Sequence, residues 1–143
     1  MLPPDLAQVV EQYHSALEAY VAGDADPVLR LFSRRDDVTL ANPVGPPVRG
    51  WPRVDEAARR AGAQVRAGED NHFERISEFA TADLGYIVEI HRARAKLGGA
   101  AERSPFALRI TTIFRREDGE WRIAHRHADP ITAPRPIESV REQ

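Results

Sequence analysis

Apolar residues recur at helical spacing through the first stretch of the chain. Leu6, Val9, Val10, Tyr13, Ala16, Leu17, Tyr20 and Val21 form one stripe, with Glu11, Gln12 and Glu18 opposite. This pattern predicts a helix from about Asp5 to Ala22, with Asp5 as N-cap and Gly23 as the left-handed stop. A short second helix is predicted from Asp26-Pro27 through Phe32, because proline fits a first helical turn. Val38 to Ala41 reads as a strand cut off by Asn42-Pro43 and the Gly45-Pro46-Pro47 loop. A third helix is predicted over Val54 to Arg66, ending near Gly68.

Beyond that point the period changes from helical to alternating. Runs rich in β-branched and aromatic residues predict strands over 72–80, 84–95, 106–116 and 121–129. Thr81-Ala82-Asp83, Gly98-Gly99 and Asp118-Gly119 separate them, the last being the clearest hairpin signal in the chain. Helices followed by a strand meander predict an α+β fold in which the helices cover one sheet face. Prolines at 130, 134 and 136 mark an irregular tail, and the expectation is one domain over 1–143.

Composition narrows the function classes. With 20 basic and 22 acidic residues the formal net charge is −2, so no global field points to nucleic acid or an anionic membrane. The absence of cysteine excludes disulfides, thiol catalysis and cysteine-ligated zinc. No basic stretch leads into an apolar run near Met1, and no window has the ~18 apolar residues of a membrane span. The default expectation is a cytoplasmic soluble protein.

Four patches carry a resemblance. They are Tyr13-His14-Ser15-Ala16-Leu17 with Gly23-Asp24, the run from Val38 to Gly45, Gly50-Trp51, and the run from Arg115 to His127 through Asp118-Gly119 and Trp121. In order and spacing the chain resembles the SnoaL-like and ketosteroid isomerase-like branch of the nuclear transport factor 2-like superfamily. Its ending is also similar to the association domain of calcium/calmodulin-dependent protein kinase II. The resemblance implies a cone: a curved antiparallel sheet with N-terminal helices on its concave face, a pocket inside, and a convex face that forms a homodimer. It implies a stand-alone small-molecule pocket protein, a cofactor-independent isomerase, cyclase or dehydratase using acid/base chemistry. The alternative is a non-catalytic ligand-binding or oligomerisation module.

In ketosteroid isomerases a tyrosine and a protonated aspartic acid bind the oxyanion and a second aspartate is the base. Comparison puts Tyr13 at the tyrosine, with Tyr20 one helical stretch later as a substitute. Asn42 stands where the base belongs and Thr111 where the second aspartic acid belongs. Asparagine takes no proton at neutral pH, which argues against steroid isomerisation by that route.

Strand alternation sorts the remaining candidates. In the last strand Trp121, Ile123, His125, His127 and Asp129 share one face, and Arg122, Ala124, Arg126 and Ala128 the other. Family comparison turns Arg126 and Ala128 toward the pocket, with Arg109, Thr111 and Ile113 of the preceding strand. The apolar pattern alone buries Trp121 and Ile123 instead, and a β-bulge would reverse the assignment beyond it. Arg109 and Arg126 together offer planar donors for an anionic ligand, against a reading as surface arginines paired with acids. His127 with Asp129, and His91 beside Glu89, are candidate general bases, against packing histidines; either would titrate near neutrality. His125, His127 and Asp129 as metal ligands would span ~13 Å on one flat strand, too far to share an ion. Trp51 is a lid over the pocket or a packing residue, and Asn42 a ligand-orienting amide. The expected partner is a small anionic or polar-aromatic molecule, with no metal or cofactor. Ligand space between Tyr13, Asn42 and Arg109 would favour this reading. A cone filled by its own side chains would favour a structural role.

Overall fold

The computed structural model describes residues 1–142. Helix α1 spans Pro4–Ala22 and buries Leu6, Val10, Tyr13, Ala16, Leu17 and Val21, the stripe expected from its period. Its N-cap is Pro3 rather than Asp5, whose carboxylate sits in the first turn and accepts the Leu6 N–H at 2.8 Å. Gly23 ends the helix at φ 111°, a left-handed conformation that costs glycine little. Helix α2 covers Asp26–Leu31. Helix α3 covers Trp51–Gly62, earlier than the pattern predicted, because Gly50 at φ 91° turns the chain and Pro52 is compatible with the first helical turn.

Strands β1 (Thr39–Ala41) and β2 (Val48–Arg49) are short; β3 (Val65–Ala80), β4 (Leu84–Leu97), β5 (Ser104–Glu117) and β6 (Glu120–Asp129) are long. Together they form one six-stranded sheet in the order β2-β1-β6-β5-β4-β3. Neighbours are antiparallel except β1 and β6, which run parallel with Thr39 opposite His125. Asp118 at φ 52° and Gly119 at φ 84° make the β5–β6 hairpin the tight turn that the Asp-Gly pair predicts. The tail is irregular apart from an exposed 3-10 turn at Ile137–Val140.

The helices pack on the concave face and the core lies between. Leu6, Val10, Tyr13 and Leu17 of α1, Val28 and Leu29 of α2, Phe32 beyond it, and Val54 of α3 meet Ile87, Phe114, Trp121 and Ile123 of the sheet. Each fully buried large side chain contributes about 1.5–3 kcal/mol relative to exposure. Among the described residues no helix is long and apolar enough to cross a membrane.

One irregularity decides which residues enter the cone. Ile113 pairs with His125 and Phe114 with Ile123, so Ala124 is an extra residue in β6. Before this bulge Trp121 and Ile123 are buried; after it Arg126 and Ala128 are. Both assignments expected for β6 therefore hold, each on its own side of Ala124. Strand β5 has no such shift in its own alternation: Ile110, Thr112 and Phe114 are buried. The expectation that Arg109, Thr111 and Ile113 face inward is thus corrected; they lie on the convex face.

Candidate functional site

The concave face carries polar groups in two clusters. In the first, Arg126 of β6 reaches under α1 and its Nε donates to Tyr13 Oη at 2.8 Å, while Tyr13 Oη shares a second hydrogen bond with Thr112 Oγ1 at 2.8 Å. Phe114 holds the Tyr13 ring edge-on at 5.8 Å between centroids. Arg126 is only 8% exposed. Among the described residues its one hydrogen bond is to Tyr13, and no carboxylate there stands within ion-pair distance. A buried cation is ordinarily paired with an acid, and among the described residues this one is not.

A cavity of about 20 Å3 adjoins the guanidinium, lined by Leu17, Tyr20, Phe32, Leu40, Asn42 and Ala58 among others. Its size suits about one water molecule. The open ligand space expected between Tyr13, Asn42 and Arg109 is therefore absent among the described residues: side chains fill most of the cone, the arrangement expected of a structural role, with a water-sized space left beside Arg126, and Arg109 is outside it. The walls are apolar apart from Arg126, the Tyr20 hydroxyl, which donates to the Ala58 carbonyl at 2.7 Å, and the Asn42 amide. Asn42 Oδ1 accepts the Val44 N–H at 3.1 Å, an Asx turn that fixes the side chain, and Nδ2 makes a long 3.5 Å contact with the Ala57 carbonyl.

The second cluster lies beside it, between α1, β3 and β4. His14 Nε2–H donates to both Glu89 carboxylate oxygens, at 2.8 and 2.9 Å, and Arg75 Nε donates to Glu89 Oε2 at 3.0 Å. Burial acts to raise the Glu89 carboxyl, but the hydrogen bond and charge of His14, then those of Arg75, outweigh it and hold the pKa below its ordinary value. The Phe73 ring is sandwiched between His14 at 4.1 Å and His91 at 4.3 Å. His91 is 1% exposed and its Nε2–H donates to Asn71 Oδ1 at 2.8 Å. Burial first, then the positive charge of Arg126 and His14, lowers its pKa to about 4. His91 is accordingly neutral at physiological pH, and titration near neutrality is not expected of it.

The structure brings Tyr13, Asn42, Arg126 and His91 to the concave side. Arg109, Thr111, His127 and Asp129 go to the convex side, where Arg109 Nε donates to Asp129 Oδ1 at 2.7 Å and His127 Nε2 meets Asp129 Oδ2 at 3.1 Å. The Arg109 side chain is 54% exposed, so no two-arginine clamp exists inside the cone. His125 bonds Thr39 Oγ1 through Nδ1 at 2.7 Å, and among the described residues no three potential metal ligands converge. Trp51 does not line the cavity; Arg34 stacks over its ring at 3.5 Å, as a packing residue would be covered.

Sequence reasoning passed over His14, Arg75, Asn71 and Thr112. Two signals were present. His14 follows Val10 at i+4 and precedes Leu17 at i+3, which puts it beside the buried stripe of α1. Thr112 alternates with Ile110 and Phe114, so the apolar period of β5 alone turns it inward.

Comparisons with known proteins agree with this architecture. A family model described as a SnoaL-like domain matches residues 6–133. A ketosteroid isomerase-like protein from Erwinia carotovora atroseptica superposes with a TM-score of 0.75 at 18% identity, over 90% of this chain and 95% of that one. A nuclear transport factor 2-like superfamily protein from Salmonella enterica serovar Typhimurium gives 0.71 at 13% identity, over 92% of each chain. A protein assigned as a calcium/calmodulin-dependent protein kinase type II association domain, from Thiobacillus denitrificans, gives 0.67 at 21% identity, over 92% of this chain and 99% of that one. At such identities the likeness is one of fold. No curated protein matches the sequence.

Proposed function

This chain belongs to the SnoaL-like domain family, and from that premise we propose that it binds a small anionic molecule, a carboxylate or enolate, at Arg126 inside the cone. One observation supports the reading above others: a guanidinium buried to 8% exposure, bonded to a tyrosine hydroxyl and matched by no acid among the described residues. Asn42 and the Tyr13–Thr112 pair supply neutral polar groups beside it, and Leu17, Phe32 and Leu40 an apolar wall. The test is binding of acetate, pyruvate and benzoate, followed by calorimetry or NMR, to the native chain and to Arg126→Met. Losing a charge-assisted hydrogen bond of about 1.5–3 kcal/mol corresponds to roughly a tenfold or greater fall in affinity. Equal affinity in the two proteins would sink the reading.

A catalytic version has its own support in His91, whose imidazole is kept neutral by burial within the field of Arg126. An isomerase or dehydratase would use His91 as base and the Arg126–Tyr13 pair to hold the developing oxyanion. A base with a pKa of about 4 removes only protons already acidified by an adjacent carbonyl. The acid limb of the rate profile would then fall near pH 4, and a limb near 7 would exclude His91 as the base.

The partner reading is a homodimer through the convex face. Phe79, Leu84 and Tyr86 are exposed, Phe79 and Tyr86 with rings 6.0 Å apart, and the Arg92–Glu74 and Arg109–Asp129 pairs place both signs of charge on the same face. A two-fold axis can match such a surface with itself. Light scattering of a strict monomer would exclude it.

A further inference from the structure

We infer that Tyr20 is the size-determining residue of the Arg126 site, and that the ligand it admits is a small carboxylate with an apolar body which occupies the place of the Tyr20 ring. The inference rests on the anion-binding reading of Arg126. Tyr20 and Asn42 are the half-buried residues of the cavity lining, and Tyr20 is the one that carries a ring. Its ring leaves α1 and lies against α3, where the hydroxyl donates to the Ala58 carbonyl at 2.7 Å.

Gly62 provides the other half of this seat. A Cβ there would stand 3.1 Å from Tyr20 Cε1 and 3.2 Å from Cζ, closer than ordinary packing, so glycine is what lets the ring lie flat on α3. With the ring in this seat the cavity is about 20 Å3, room beside Arg126 for a water-sized polar group and none for a ring-sized apolar body. Removing or swinging the ring opens a slot bounded by Leu17, Val28, Phe32 and Leu40, with Arg126 and Asn42 at its polar end. An apolar slot with one cation at its base selects an amphiphilic monoanion, not a sugar, a nucleotide or a polyanion. The Ala58 carbonyl is a single acceptor, so the closing contact is one neutral hydrogen bond, weak enough for a ligand to displace.

Two probes of different size separate this idea from the site itself. Tyr20→Ala is expected to raise benzoate affinity at least tenfold while changing acetate affinity less than threefold, and adding Arg126→Met should abolish the benzoate gain. If Arg126→Met weakens acetate binding but Tyr20→Ala leaves benzoate unchanged, the site stands and Tyr20 does not control its size. If Arg126→Met changes nothing in either background, or neither probe binds either protein, the anion site falls and the Tyr20 role with it. Should Tyr20→Ala fail to fold, Tyr20→Phe keeps the ring and removes the Ala58 bond. It is expected to speed benzoate association at least threefold, and an unchanged rate overturns the proposal.

Discussion

Glu89 and Arg126 are both buried on the concave face of one sheet, yet one is surrounded by opposite charge and the other is not. Glu89 accepts from His14 twice and from Arg75 once, and its pKa is held low. Arg126 has Tyr13 alone. A buried charge whose partners come from two other elements, here α1 and β3, ties them to its own strand β4. A buried charge without a counterion costs stability, and the proposed anion site supplies a reason for keeping it. The difference separates a structural network from a candidate site on the same surface.

The sharpest way to break the comparison is to remove each charge in turn. Glu89→Ala takes the buried anion from His14 and leaves Arg75 with Glu78 alone, and is expected to cost about 3–5 kcal/mol in urea unfolding. A loss below 1 kcal/mol would mean that the network contributes no more than a surface pair. Acid tests the same cluster without mutation. Folded His91 titrates at about 4 against 6.5 for the ordinary side chain, so the unfolded chain binds the extra proton between those values. Stability therefore falls as pH drops from about 6.5 to about 4, by up to about 3 kcal/mol, and Glu89 adds a further loss as pH falls through its lowered pKa. A flat unfolding profile over that window would contradict the burial of His91.

Tyr13→Phe removes the acceptor of Arg126 and the partner of Thr112, with an expected cost of about 1–3 kcal/mol at the same midpoint measurement. Arg126→Met should move the other way, raising stability by on the order of 1 kcal/mol because no ion pair is lost with the desolvated charge. A clear destabilisation there would show that Arg126 is part of the framework, as Glu89 is. Arg109→Ala, on the convex face, is expected to change stability by about 0–1 kcal/mol and carboxylate binding not at all. An effect on binding would return Arg109 to the site.

Much of the fold was legible because it is written in short-range periods. The stripe of α1, the Asp118-Gly119 turn and the four long strands each depend on residues a few positions apart. The first half of β3 was not, since Arg66-Ala67-Gly68-Glu69-Asp70 has no strand pattern. It is shaped from outside, by positive φ at Ala67 and Asp70, by register shifts against β4, and by Gly68, where a Cβ would fall 2.4 Å from Val21 of α1. The site was half legible for a related reason. Arg126 reaches the concave side, as family comparison turned it, and Tyr13, Asn42 and His91 lie there too, while Arg109 and Thr111 do not, because β5 keeps Ile110, Thr112 and Phe114 inward.

By itself, then, the sequence determined the three helices and the long strands in outline, the α+β order, the family and the loss of an acidic base at Asn42, but not β2 or the start of β3 at Val65, where a helix was expected to Arg66. Tertiary structure alone decided that Ala124 bulges and turns Arg126 inward, that His14 and Arg75 neutralise Glu89, and that Arg126 is left without an acid. The division follows the range of the interactions. Periodicity acts over one or two turns of chain, whereas a bulge is set by its partner strand and a counterion by whichever distant segment folds beside it.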